Sequence, residues 1–322
     1  MEKVRVGVVG IGYLGSGHAR IYAKLPGAEL VALCDIDPAK RGLSQKYRAP
    51  FYEDYEMLFD KVDAVSIATP TQDHHRVAKA FLAHGIHLLI EKPITKSVEE
   101  ADELVATARQ KNCLIQVGHV ERYNSALQTI RPYVQSVHFL ECHRLGPFKR
   151  RSLDVGVVLD LMIHDIDIVL SLIPSPVERV DAVGIHVLTD KEDIANARLN
   201  FKNGAAANLT ASRLTTKSMR KIRIFSENSY ISLDTFKQKA DRYWKEGDKI
   251  RMERVRVKKK EPLQEELASF IQAVAKKEKP LVSGEEGREA LRVALQIEQL
   301  IRSNPSWSAA KKHVSPPQYA AP

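Results

Sequence analysis

The stretch from Val4 to Asp35, VRVGVVGIGYLGSGHARIYAKLPGAELVALCD, constrains the fold more than any other part of the chain. Val4 to Val9 is a short β-branched run, Gly10, Gly12 and Gly15 then spell GxGxxG ahead of a segment of helical character, and a second apolar run ends at Asp35. Strand, turn, helix and strand is the context in which this glycine pattern marks a dinucleotide site rather than an ordinary turn. Gly10 permits the tight turn, Gly12 leaves no side chain against a pyrophosphate, and Gly15 lets the helix lie close to the strand. Tyr13 and Leu14 fall at the helix start, where backbone N–H groups face the phosphates. Asp35, 20 residues beyond Gly15, can accept both ribose hydroxyls of NAD and would repel a 2′-phosphate, which favours NAD over NADP despite Lys40 and Arg41 nearby.

The next segments continue an α/β alternation. Helices are expected at 38–47, 54–59, 72–84 and 97–111, the last begun by Ser97 with Glu100 at capping-box spacing. Buried strands are expected at 62–69, 86–93 and 114–118, which completes a doubly wound parallel Rossmann sheet in a domain spanning 1–120. VDAVSIAT runs straight into Pro70, so a loop forms at the carboxyl end of the sheet, where such sheets bind ligands. Thr69, Pro70 and His74 are candidates for the nicotinamide side, His74 being equally readable as a solvent-facing residue of a helix start. Glu91, Lys92 and Pro93 end the next strand, and an X-Pro bond there can be cis, which would turn the backbone and aim Lys92 at a substrate. The alternative is an exposed lysine at a strand end.

Downstream, strand character recurs at 134–145, 177–189, 193–201, 205–213, 220–226, 229–236 and 249–257, with short turns such as Lys202 to Gly204 between neighbours. This pattern predicts an α+β domain over 121–302 with a large, mainly antiparallel open sheet, covered by helices on one face. Ala205, Ala207, Leu209 and Ala211 alternate as in a half-buried strand. In DLMIHDID, residues 160–167, Asp160 and His164 are i and i+4, while His164 and Asp167 are i and i+3, so a helix places all three on one face. A carboxylate one turn from an imidazole favours its protonated form, which suits a proton acceptor; a structural hydrogen bond is the plainer reading. One His with carboxylates on one helix does not make a tetrahedral metal site, and no metal is expected.

GIGYLG, Asp35, the ATP loop followed by His74, EKP at 91–93, DLMIHDID and the closing segments at 261–301 together resemble the Gfo/Idh/MocA oxidoreductases over nearly the whole chain. The resemblance implies NAD-dependent oxidation of a sugar hydroxyl, with Lys92 and His164 converging on the reacting group and Asp160 supporting them. It extends the cofactor contacts to Glu91 and Lys92. The segment GHVERYNSA, 118–126, resembles the family's substrate-side segment, which makes Arg122, His119 and Tyr123 substrate candidates; an interdomain salt bridge is the other reading of Arg122. VGHVERYN is most similar to the branch that forms a 3-keto product from UDP-N-acetylglucosamine for lipid A or surface-polysaccharide synthesis. A free polyol such as an inositol, another UDP-sugar, or a non-catalytic NAD-dependent sensor on the same fold are the alternatives.

Composition bounds the partners. A chain of 322 residues with 44% hydrophobic and 28% charged residues reads as a soluble globular protein. The start MEKVRVGVVG lacks a long apolar run, and Val155 to Pro174 is interrupted by Asp160, His164, Asp165 and Asp167, so neither a secretory signal nor a membrane span is expected. Cys34, Cys113 and Cys142 are odd in number and form no CxxC pair, as expected of reduced thiols in the cytoplasm. The net charge of +9 is carried by runs such as 217–223 and 251–260, which lack the interleaved aromatics of a nucleic-acid platform and would favour an anionic small molecule such as a nucleotide sugar. The open sheet face is the expected site of a homodimer or homotetramer contact, and 303–322, rich in Pro, Ala and Ser, is expected to be a mobile tail.

Overall fold

The computed structural model describes residues 2–148, 155–305 and 307. The chain divides into two compact units, one of Met1–Gln128 with Lys258–Arg292, the other of Thr129–Val257 with Val293–Pro322. The sequence predicts a single boundary near residue 120; in the structure residues 258–292 return to the first unit. Helix α7 (Pro262–Lys276) explains this, because its Leu267, Phe270, Ile271 and Val274 enter the core that Val4, Val6, Val8, Ile21 and Tyr22 form. Burying those four apolar side chains outweighs the chain reversal that brings them back, at about 1.5–3 kcal/mol each.

The first unit is built on a sheet of six parallel strands in the order β3-β2-β1-β4-β5-β6. These are β1 (Val4–Val9), β2 (Ala28–Cys34), β3 (Phe51–Tyr52), β4 (Ala64–Ile67), β5 (His87–Glu91) and β6 (Ile115–Gly118), with α1 (Tyr13–Tyr22), α2 (Leu43–Tyr47), α3 (Thr71–Ala83) and α4 (Val98–Gln110) among the connections. Strand order reverses between β1 and β4, so their carboxyl ends, Val9 and Ile67, lie side by side where an open α/β sheet binds its ligand. The expected helix at 38–47 is instead a 3₁₀ turn, Pro38–Gly42, followed by α2; Asp37 Oδ1 accepts Ala39 N at its start, 3.0 Å away. Ser97 caps α4 as expected, its Oγ accepting Glu100 N at 3.3 Å, while Glu100 turns its carboxylate to Lys96 N at 3.4 Å.

The second unit carries an eight-stranded sheet in the order β14-β13-β12-β11-β7-β10-β9-β8. Its strands are β7 (Val137–Leu145), β8 (Val177–Ile185), β9 (Ile194–Phe201), β10 (Ala206–Ser212), β11 (Met219–Ser226), β12 (Ser229–Asp234), β13 (Lys239–Glu246) and β14 (Lys249–Val255), all antiparallel to their neighbours except β7 beside β10. Ala207, Leu209 and Ala211 are fully buried, as their alternation predicts. Strand β13 has no counterpart in the sequence expectation, since KADRYWKE alternates no apolar residues. Its Arg242 guanidinium lies over Tyr133 and Trp244, 4.7 and 4.8 Å from the ring centroids, so cation–π contact replaces the usual apolar face.

A π-helical turn, Val158–Met162, leads into α6 (Ile163–Leu172). α6 is pinned to β7 by a buried bidentate pair: Arg144 Nη2 and Nε donate to Asp165 Oδ1 and Oδ2 at 2.7 and 2.9 Å. The remaining helices are α5 (Ser125–Ile130) and α8 (Gly284–Ser303). Of the tail expected at 303–322, residues 306 and 308–322 lie outside the described residues. Among the described residues no helix is long and apolar enough to cross a membrane.

Candidate active site

The glycine turn is built as its chemistry requires. Gly10 has φ +85°, and a Cβ there would lie 2.7 Å from the Ala68 carbonyl and Thr69 N; only glycine allows both the conformation and the approach to the β4 loop. A Cβ on Gly15 would run into Gly10 O, which is how closely α1 lies on the turn. Gly12 differs, because nothing lies within 4 Å of where its Cβ would be. It is the N-cap of the ten-residue α1 with no side-chain cap, so the start of that helix can be approached at Gly12.

Asp35 closes the other side of the turn. Its Oδ2 accepts Ile11 N at 2.7 Å and Lys40 Nζ at 2.8 Å, and its Oδ1 accepts Asp37 N at 3.0 Å. Burial pushes its carboxyl up, but the hydrogen bonds from Lys40, Asp37 and Ile11 outweigh burial and hold it below the usual carboxylate range. Three large apolar side chains around this turn face solvent: Tyr13 is 80% exposed, Leu14 44% and Ile36 89%. On the β4 side, Thr69 Oγ1 is buried with no hydrogen-bond partner among the described residues. An open helix start, a preset carboxylate, uncovered apolar walls and an unsatisfied hydroxyl fit a dinucleotide with its phosphates at Gly12. The sequence alone does not single out Ile36, although an isoleucine directly after Asp35 is the available signal.

The EKP residues end β5. The Lys92–Pro93 peptide is cis, and Lys92 is half-buried. Glu91 is buried; its Oε1 lies 3.0 Å from His18 Nε2 on α1, and its Oε2 accepts Lys92 N at 3.2 Å. Burial raises the Glu91 carboxyl, but His18, Lys92 and the Lys92 N–H overcome this and keep it ionised. Glu91 therefore ties the lysine loop to the dinucleotide helix, and His18 is a member of the site that its place in GSGHA did not reveal. Gly118 makes room, since a Cβ there would lie 2.9 Å from Glu91 Oε2.

His74 is not the solvent-facing residue of a helix start that its spacing also allows. It is buried, with Nδ1 3.0 Å from Pro93 O and Nε2 3.0 Å from Thr69 O, and so staples the β4 loop to the β5 loop. Burial lowers its pKa against the pull of those two carbonyls. The three substrate candidates are buried as well. His119 is fully enclosed and pushed down to about 3 by burial, with the charges of Lys92 and Arg122 adding to the shift, so it stays neutral. Arg122 takes the ion-pair alternative, though within the first unit, its Nη2 lying 3.2 Å from Leu281 O and 3.3 Å from Glu286 Oε1. Tyr123 is 5% exposed beside them in sequence. In the second unit Asp160 lies on the π turn and His164 on the first turn of α6, both half-buried, while Asp167 is buried. The expected single α-helix across 160–167 thus begins with wider winding, a feature that recurs at functional sites.

Comparison with known proteins agrees with this geometry. Residues 4–119 match the family model described as an oxidoreductase family with an NAD-binding Rossmann fold, and residues 116–232 match the GFO/IDH/MocA C-terminal domain. The chain is 36% identical over 305 residues to the UDP-N-acetylglucosamine 3-dehydrogenase of Acidithiobacillus ferrooxidans, covering 92% of this chain and 97% of that one. The solved structure of that enzyme superposes with a TM-score of 0.90 over 94% of this chain and 99% of its own. A myo-inositol 2-dehydrogenase of Thermotoga maritima is 27% identical over 320 residues, covering 89% of this chain and 93% of the relative. The chain belongs to the Gfo/Idh/MocA oxidoreductases and takes NAD as its cofactor.

Proposed function

We propose that the protein oxidises the 3-hydroxyl of UDP-N-acetylglucosamine to the 3-keto nucleotide sugar, in the cytoplasm, for lipid A or surface-polysaccharide synthesis. The observation that carries this is 36% identity across 97% of a relative with that named activity. NAD, when bound, would supply the acceptor for a hydride from carbon 3. His164 takes the hydroxyl proton, Asp160 supports the resulting imidazolium, and Lys92 hydrogen-bonds the developing alkoxide. Glu91, held by His18, fixes the backbone from which Lys92 extends. Purified protein with NAD and a panel of sugars tests the reading by the appearance of NADH. Turnover of UDP-N-acetylglucosamine is expected. The inositol dehydrogenase of Thermotoga maritima, at 27% identity, supports free inositol as the second reading, and turnover of inositol without the nucleotide sugar would establish it instead.

The open face of the second sheet supports self-association. Phe139, Phe225, Tyr230 and Tyr243 stack in a row across four strands, with centroids 5.6, 4.8 and 5.4 Å apart. The next row on that face alternates charge, with Arg223 on Glu141 at 2.7 Å and Arg254 on Asp241 at 3.0 Å. A row that is both acidic and basic complements a second copy turned through a twofold axis. Tyr230→Asp with Tyr243→Asp is expected to give monomers by light scattering, whereas an unchanged mass would refute this contact.

A further inference from the structure

The start of the segment that carries Asp160 and His164 is held from far along the chain. Val157 N donates to Glu192 O at 3.0 Å, and Val158 N donates to Glu192 Oε1 at 3.2 Å. The first N–H groups of a helix have no partner within it and are ordinarily met by a nearby side chain. Here the N-terminal flank, Val157, makes no side-chain cap, and a carboxylate 34 residues downstream takes that place. Glu192 is 1% exposed, and Gly156 is what admits it, since a Cβ on Gly156 would fall inside the Glu192 carboxylate. Burying a carboxylate is costly unless N–H groups and a positive helix end receive it, and both are present.

The anchor is itself fixed. Asp193 Oδ2 accepts Val187 N, Leu188 N and Thr189 N at 2.8, 2.6 and 2.9 Å, and Arg213 Nε lies 3.3 Å from its Oδ1. Arg213 Nη2 then donates to Val155 O at 2.8 Å and Glu192 O at 3.3 Å, joining the loop to the residue before Gly156. One contact opposes the arrangement: Glu298 is pushed up to about 7 by burial and then by the Glu192 charge, against Arg302 and Lys191. Partial protonation of Glu298 near neutral pH limits that repulsion.

We propose that Glu192 is a positioning residue for the acid-base pair: its buried carboxylate sets the start of the π turn and so the place at which Asp160 and His164 are presented. Asp160 stands two residues beyond the anchored Val158, and its own N–H donates to Gly156 O at 3.0 Å, so a shift at the anchor moves the pair directly. The inference rests on the role given to His164 above.

Glu192→Ala, Glu192→Gln and Gly156→Ala test it, with turnover of UDP-N-acetylglucosamine, KM for NAD and amide exchange of the peptide over 157–166 as readouts. Displacing a reacting group by ~1 Å costs on the order of 100-fold, so Glu192→Ala is expected to lower kcat by about 10- to 100-fold. KM for NAD should stay near wild type and exchange at Val157 and Val158 should quicken. Glu192→Gln keeps an acceptor for Val158 N and should restore most of kcat. Gly156→Ala should behave like Glu192→Ala and add little in that background, because both remove one contact. The proposal is overturned if Glu192→Ala keeps wild-type kcat, if Gln rescues nothing, or if kcat and melting temperature fall while KM for NAD rises with them. Wild-type protein inactive on this sugar would count against the substrate assignment alone, since amide exchange reads the anchor without turnover.

Discussion

Replacing Gly12 by alanine separates cofactor binding from folding, and Gly15→Ala is its control. Gly12 has φ −75° and ψ −154°, extended backbone that alanine adopts, and its Cβ would meet nothing within 4 Å. Alanine gains about 0.4–1 kcal/mol by restricting the unfolded chain and loses roughly 0.5 kcal/mol as a poorer N-cap. The melting temperature should therefore move by no more than about 2 °C. With the phosphates at Gly12, the new methyl would stand where the pyrophosphate approaches the N–H groups of α1. Losing one or two charge-assisted hydrogen bonds at about 1.5–3 kcal/mol each weakens NAD binding by at least ~10-fold. Gly15→Ala places its methyl on Gly10 O, and the backbone must separate at about 1–3 kcal/mol or more, lowering the melting temperature by several degrees. Titration calorimetry with NAD and thermal melting read the two effects. Wild-type NAD affinity in Gly12→Ala, or equal destabilisation by both variants, would refute the placement of the phosphates at Gly12.

Three further outcomes follow from the geometry. His164→Ala should leave NAD affinity nearly intact and lower turnover at least ~100-fold, as loss of acid-base catalysis does; equal turnover would remove His164 from that role. Arg144→Met removes the bidentate partner of the buried Asp165 carboxylate and should destabilise the protein by about 3–5 kcal/mol in urea melts, with Asp165→Leu in the same chain recovering most of the loss. The Asp193 carboxyl is raised by burial but brought below its usual value by the N–H groups of Val187, Leu188 and Thr189. Its folded pKa lies below its unfolded one, so the stability it contributes is present above the ordinary carboxylate pKa and is lost as pH falls through the folded value. Asp193→Asn should flatten the acid limb of a plot of melting temperature against pH, and an unchanged slope would assign that limb to other groups.

What could be read from the sequence was local, and what could not was long-range. Gly10, Gly12, Gly15 and Asp35 stand out as candidates because a turn and a strand end place them within 26 consecutive residues. The parallel sheet and most strands of the second sheet follow from apolar runs and alternation, whereas β13 escapes because Arg242 packs on rings rather than burying an apolar face. The sequence sets His74 and Arg122 beside candidate loops, and in the structure their atoms are engaged by Pro93 O, Thr69 O, Leu281 O and Glu286, partners that no spacing rule identifies. The same holds for His18 with Glu91, Arg144 with Asp165, and Glu192 with Val158, separated by 73, 21 and 34 residues. The return of α7 to the first unit belongs here too, since an amphipathic helix carries no address for the core it enters.

The basic surplus has a similar resolution. Arg223, Arg251, Arg254 and Lys260 lie in the basic runs, and each pairs with a carboxylate, Glu141, Glu246, Asp241 and Glu265 respectively. Exposed pairs of this kind add little stability, but they reduce the field such runs would otherwise project.

The central claim is that a hydride leaves carbon 3 of the sugar for NAD. UDP-N-acetylglucosamine deuterated at carbon 3 tests it most directly, by mass analysis of the reduced cofactor and by the rate relative to unlabelled sugar. Deuterium recovered in the reduced nicotinamide is the predicted result, with slower turnover wherever hydride transfer limits the rate. Reduced cofactor free of deuterium, with the label retained on the sugar, would contradict it.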